Sequence, residues 1–195
     1  MNKKDIIDFF DRCAPDWDKE TVRNESVISK ILNCAAIREG IDVLDVACGT
    51  GILFPSYRAR DIASLTAIDI SPQMAHRAKE NDPKATVICG DAAEVSIAGK
   101  FDAIVIYNAF PHFIDPSALV ENLSRMLKTQ GRLTIAHGIG REALNRLHHL
   151  RAQHVSTDLM HEDDLERLLS QWLTVDVKIS DHEKYIVSGT YRSIN

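Results

Sequence analysis

The chain is poor in aromatic residues, at 6%, and its four cysteines never fall into a CxxC pair. Cys13, Cys34, Cys48 and Cys89 have spacings that fit no structural zinc site. They read as free thiols of a reducing compartment. No apolar run approaches the ~20 residues of a membrane-spanning helix. The first twenty residues, "MNKKDIIDFFDRCAPDWDKE", are too acidic and too short in apolar run for a secretory signal. A cytoplasmic location is expected. Basic charge is also lacking: 23 Lys and Arg stand against 28 Asp and Glu, for a net charge of -5. That balance excludes a broad electrostatic surface for nucleic acid or an anionic membrane. Neither an internal repeat nor a low-complexity tract is present.

What remains is the composition of an ordinary globular domain, 45% hydrophobic and 26% charged over 195 residues. This suits one domain with one core. Short β-branched runs alternate with helical stretches. "IDVLDVA" (41–47) is almost continuously apolar, as a strand buried on both faces must be. "SLTAIDI" (64–70), "ATVICG" (85–90), "FDAIVIY" (101–107) and "GRLTIAH" (131–137) repeat the pattern. Ser71–Pro72 is a cap followed by proline at the first helical position, and Asp115–Pro116 repeats the device. The second helix is expected to run through "SALVENLSRMLK" with Leu119, Leu123, Met126 and Leu127 on one face and Gly131 beyond its end. Two period-two segments, 174–180 and 183–192, predict an antiparallel pair at the sheet edge, joined by Asp181–His182. The expected fold is a Rossmann-like three-layer α/β/α sandwich with a mostly parallel seven-stranded sheet and an antiparallel C-terminal hairpin.

The most specific stretch is "VLDVACGTGIL" (43–53). A buried strand ends and turns through glycines that permit a tight turn and close approach of a ligand. The third glycine of GxGxxG is missing, as is the lysine of GxxxxGK[ST], which argues against dinucleotide oxidoreductases and P-loop NTPases. Asp69 ends the following strand, where an acid can take both hydroxyls of a ribose.

Here the chain resembles the class I S-adenosylmethionine-dependent methyltransferases, in particular the small type 11 group that includes quinone-biosynthesis C-methyltransferases. "VLDVACGTG" is similar to motif I, "LTAIDISPQM" to motif II, "ICGDAAEV" to motif III and "FDAIVIYNAFPHF" to motif IV. "LSRMLKTQGRLTIAH" resembles the late helix–strand motif, and "FFDRCAPDWD" the segment preceding the core. The resemblance covers about residues 5–140. It implies S-adenosylmethionine as cofactor and S-adenosylhomocysteine as product. It further implies that Asp45 orients the methionine portion and that Gly49 and Gly51 give room for the methionine and ribose parts. Asp69 would bind the ribose, and Ile70 and Met74 would pack on the adenine. Asp91, with the Ala92 backbone, would take the adenine amino group, and Asn108 and Ala109 would close the methionine side. Ala47 belongs to the same turn and stands where many members have glycine. Each residue also has a plain structural use: Asp45 as a turn cap, Asp69 beside an N-cap, Asp91 as a solvated loop acid, Ile70 and Met74 as core.

One unit over 1–195 is expected, with 1–37 a helical cap, 38–137 the cofactor-binding core, and 138–195 acceptor-side helices with the edge hairpin. Methyl transfer from a sulfonium is an in-line displacement driven largely by positioning, so a base is optional. His112 is the first candidate base, with His137 another. Tyr107 and Phe110 are expected to shape the acceptor pocket. The helix after His137 is expected to present Leu144, Leu147, His148, Arg151, His154 and Val155 to the protein, with His149 pointing away. His148 and Arg151 would then line the acceptor pocket, where Arg151 would suit an anion. His112, His137 and His148 are the candidate ligands if a metal is bound, although no two histidines of that helix have i,i+4 spacing. The partner is a small-molecule acceptor, without nucleic acid or membrane, and the assembly a monomer or homodimer. A non-catalytic metal- or cofactor-binding module, and an enzyme that uses the sulfonium without methyl transfer, are the alternatives.

Overall fold

The computed structural model describes residues 1–192, the side chain of Glu20 apart. The last three residues of the expected 138–195 segment lie outside it. Seven strands form one sheet: β1 (Asp42–Val46), β2 (Ser64–Asp69), β3 (Thr86–Cys89), β4 (Phe101–Tyr107), β5 (Leu127–His137), β6 (Leu173–Ser180) and β7 (Tyr185–Tyr191). Their order is β3-β2-β1-β4-β5-β7-β6. The first five pair in parallel, and β7 runs antiparallel to both β5 and β6. From β1 the chain winds outward to β3, then returns to lay β4 on the other side of β1. The crevice at the carboxyl ends of β1 and β4 is therefore the switch point where such sheets bind ligands.

Helices cover both faces. Leu44, Val46, Ile104, Ile106 and Ile135 pack with α6 (Pro116–Arg125) and α8 (Glu162–Leu169). The alternate strand positions, Val43, Ala103 and Val105, pack with α3 (Glu25–Cys34), α4 (Phe54–Arg58) and α5 (Pro72–Asn81). Central strands sandwiched in this way have no polar face, hence the continuous apolar runs. α3 fills the helical layer, so only α1 (Lys3–Cys13) and α2 (Trp17–Glu20) remain as cap elements.

Two expectations are corrected. The helix from Pro116 stops at Arg125, and Leu127 already pairs with Phe101 as strand β5. Gly131 therefore does not terminate a helix. A Cβ there would lie 2.8 Å from the Phe101 carbonyl oxygen and 2.9 Å from that of Lys128, where β4 and β5 slip register. The hairpin link is also longer than expected. Asp181 accepts from the backbone of Glu183 and Lys184, and β7 begins only at Tyr185.

α7 (Arg141–Arg151) forms as expected, but its face is narrower. Leu144 and Val155 are buried, whereas Leu147, Arg151 and His154 are exposed. Among the described residues, no helix is long and apolar enough to cross a membrane.

Candidate functional site

A cavity of about 400 Å³ opens at the switch point. That is within the roughly 300–1,000 Å³ of small-molecule sites. Its floor is the turn after β1, where Ala47, Cys48 and Gly49 face inward. The turn is tightly wound: Ala47 has φ 53 and Gly49 φ 56. A side chain at positive φ is strained. This is the physical reason glycine suits the Ala47 position. Asn108 ends β4 in the same conformation, φ 56, and its Oδ1 accepts from the Gly138 backbone N–H at 2.8 Å. Both strands thus bend out of the sheet at the mouth of the crevice.

Asp69 ends β2 in this cavity, 7% exposed. One carboxylate oxygen accepts from Gly49 N–H at 2.8 Å and the other from Ser71 N–H at 2.9 Å. Burial pushes its pKa up to about 6, against the two backbone hydrogen bonds that hold it down. Ser71 caps α5 by accepting from Met74 N–H. Ile70 and Met74 line the cavity beside Asp69. Asp91 and Ala92 follow β3 on the same side. One Asp91 oxygen accepts from Ala93 N–H, and the other pairs with Lys3 Nζ at 2.7 Å.

Asp45 lies apart from this wall. It is 2% exposed, and burial, followed by the nearby Asp69 charge, raises its carboxyl pKa well above the ordinary value. Gly51 is likewise not a wall: a Cβ there would fall 2.5 Å from the Phe54 ring, so it admits α4. Phe110 packs into the sheet-side core, and Tyr107 and Ala109 reach the cavity.

His112 lines the cavity from a short 3-10 turn, Phe110–His112. Its Nδ1 lies 2.8 Å from the Val155 carbonyl oxygen. Burial lowers its pKa to about 4; the Val155 contact opposes this and His148 adds to it. His148 sits behind it, ring centroids 5.2 Å apart. His137 is fully buried next to Tyr185, and burial lowers its pKa to about 3. Both its ring nitrogens, and Nδ1 of His148, are sealed from solvent without a protein partner. Neither histidine reaches the cavity, and Arg151 is exposed on the outer side of α7. Leu147, one turn before it, is 41% exposed, so that side of the helix faces outward. Among the described residues, no three His, Cys, Asp or Glu side chains gather with metal-binding geometry.

The cap completes the walls with Lys3, Ile6, Phe10 and Trp17. Phe10 stacks edge-on against His112 at 5.0 Å and against Trp17 at 5.8 Å. Trp17 reaches the glycine turn; a Cβ on Gly49 would lie 3.7 Å from its Nε1. These residues escaped sequence reasoning, because apolar periodicity does not tell a cavity wall from core. The one signal was the bulk of "FFDRCAPDW" on a short, polar helix.

Residues 44–135 match a family model described as a methyltransferase domain. The malonyl-acyl-carrier-protein O-methyltransferase of Acetivibrio thermocellus is 29% identical over 153 residues, covering 76% of this chain and 54% of that protein. The ubiquinone biosynthesis O-methyltransferase of Xanthomonas oryzae pv. oryzae is 34% identical over 105 residues, 50% of this chain and 43% of that protein. The chain spans about half the length of these relatives. In fold it is similar to the N-methyltransferase NodS of Bradyrhizobium japonicum in complex with S-adenosylhomocysteine, with a TM-score of 0.77 and 14% identity over 99% of this chain and 100% of that one. The magnesium protoporphyrin IX methyltransferase of Synechocystis gives a TM-score of 0.74 and 18% identity, over 98% and 100%.

Proposed function

We propose that the chain, whose residues 44–135 match a methyltransferase-domain model, transfers a methyl group from S-adenosylmethionine to a small-molecule acceptor. The observation that carries the reading is the convergence of Gly49, Asp69 and Asp91 on one cavity at the switch point. The residues present fit the donor. Asp69 keeps lone pairs for two ribose hydroxyls while its backbone bonds fix its position. Ile70 and Met74 give an apolar slot for the adenine, and Asp91 and Ala92 its polar edge. Ala47, Asn108 and Ala109 bound the methionine end. Asp45 acts from beneath the turn and Gly51 through α4. When bound, the donor supplies an electrophilic methyl group on a sulfonium.

The chain's own work is to hold the acceptor in line with that methyl and exclude water. α1 and α2 roof the cavity, with Phe10 and Trp17 as the inner surface. His112 is the base in this reading, and His137 and His148 support it from behind. The chain acts in the cytoplasm as a monomer or homodimer, without nucleic acid or membrane. S-adenosylhomocysteine release, followed by mass spectrometry during an acceptor screen, tests the proposal. Accumulation that depends on an acceptor is expected. A chain that binds the donor yet forms no S-adenosylhomocysteine with any acceptor would contradict it.

A further inference from the structure

The acceptor side of the cavity has an unusual balance of groups. Among the described residues lining the cavity, Lys3 is the only Lys or Arg, and it is paired with Asp91 and Glu94 on the adenine side. Arg23 lies nearby, but its guanidinium is taken up by Glu25, the Ile52 carbonyl and Ser56 Oγ. Arg151 points to solvent. Asp115 at the mouth caps α6, accepting from Ser117 and Ala118 N–H. Apart from Asp115 at the mouth, the groups beside His112 are aromatic or neutral: Phe10, Trp17, Tyr107 and the His112 ring itself.

The His112 tautomer follows from its partner. A carbonyl oxygen only accepts, so in the neutral ring Nδ1–H donates to Val155 and the lone pair sits on Nε2. Nε2 is not among the sealed nitrogens, unlike those of His137 behind it. The contact is braced by Thr157, whose N–H donates to the Pro111 carbonyl at 2.9 Å.

Building on the methyl-transfer reading, we infer that the acceptor is an uncharged molecule presenting a hydroxyl proton to Nε2 of His112 against the Phe10–Trp17 wall, and is neither an alkylamine nor a carboxylate. A carboxylate would bring an unpaired negative charge onto an apolar wall and set it against the Nε2 lone pair. An alkyl ammonium, with a pKa of about 10, would not give its proton to so weak a base. A hydroxyl differs, because its oxygen becomes strongly acidic only as the new bond forms. The oxygen lone pair makes the C–O bond while the C–S bond breaks, and that electron pair returns to sulfur. The O–H bond breaks and its proton goes to Nε2. One positive charge passes from sulfonium to imidazolium, and burial then drives the proton out when the product leaves.

The groups facing His112 are His137 from β5, His148 from α7 and the edge of Phe10 from α1, with Asp158 acting on His148. None titrates the ring into its charged form near neutrality. Two measurements test the assignment. Imidazole nitrogen NMR on the whole chain is expected to find His112 neutral and protonated at Nδ1 from pH 6 to 8. A ring protonated at Nε2, or charged, would overturn it. Separately, methyl-labelled S-adenosylmethionine is offered with phenols, benzylamines and benzoates matched ring for ring. Label is expected in the phenols, by about 100-fold in kcat/KM over their matched partners, and His112→Gly is expected to lose about 100-fold in kcat, regained in part with added imidazole. Preferential labelling of benzylamines or benzoates overturns the inference, and so does a donor-binding chain that labels no phenol. Failure to bind the donor at all removes the methyl-transfer reading beneath it instead.

Discussion

Ala47 and Asn108 end neighbouring strands with φ near +55, at 53 and 56, on either side of the switch point. Asn tolerates this conformation through its short polar side chain, and here Asn108 also binds Gly138 N–H. Ala47 has no such compensation. Ala47→Gly is expected to raise stability by about 1 kcal/mol, read from the urea midpoint. An unchanged or lowered midpoint would show that the turn is not strained there. His137 carries the opposite kind of cost, a buried ring with two unpartnered nitrogens. Its pKa is lowered to about 3, so the unfolded chain takes up a proton below about pH 6.5 that the native state refuses. Stability is therefore lost as pH falls through that window. His137→Phe is expected to gain about 1 kcal/mol at pH 7 and more at pH 5. A loss at both values would mean the ring has a partner. Asp69 runs the other way. Its pKa is raised to about 6, so between its ordinary 3.8 and 6 the native state holds a proton that the unfolded chain has released, and stability falls as pH rises. Ribose hydroxyls donate to the ionised form, so affinity for S-adenosylhomocysteine should rise from pH 5 to 7 with a midpoint near 6. Asp69→Asn should bind weakly at every pH. A flat profile in the wild-type chain would contradict the ribose role.

At the scale of elements, α1 is a wall of the site set apart from the main core. It is held by Asp11, which accepts from Ser71 Oγ and Gln73 N–H, and by the Lys3–Asp91 pair. Its apolar side, Ile6, Phe9 and Phe10, forms a small cluster with Ala152, Val155 and Ile70, separate from the main core. One satellite cluster thus joins the roof, the Ile70 wall of the cavity and the residue whose carbonyl binds His112. Amides of 3–13 are expected to exchange quickly in the free chain and slowly with S-adenosylhomocysteine bound, while those of α3 stay protected in both. Equal exchange with and without ligand would mean the roof does not respond to it. Elements of this kind limited what could be read from sequence. The strand ends, the caps at Ser71 and Asp115, and the cavity residues Gly49, Asp69, Asp91 and His112 were legible, because each rests on local chemistry. The Leu127 strand start was not, since an apolar residue one turn past a helix continues its face as well as it begins a strand. Arg151 was misplaced for a related reason: helical phase locates a stripe, but only tertiary packing decides how much of it is covered.

At the scale of the whole molecule, the sheet order decides where chemistry happens. Returning the chain from β3 to β4 beside β1 leaves one crevice, and it gathers residues from position 3 to position 118 around a single cavity. The core on both faces is continuous and apolar, so polar groups with freedom to act collect at that rim. On the methyl-transfer proposal, this rim binds S-adenosylmethionine and its demethylated product. Isothermal titration of the full chain with S-adenosylhomocysteine is the direct measurement. One molecule bound per chain is predicted, with affinity strongly reduced in Asp69→Asn. The absence of binding heat with both ligands at several temperatures would contradict the account.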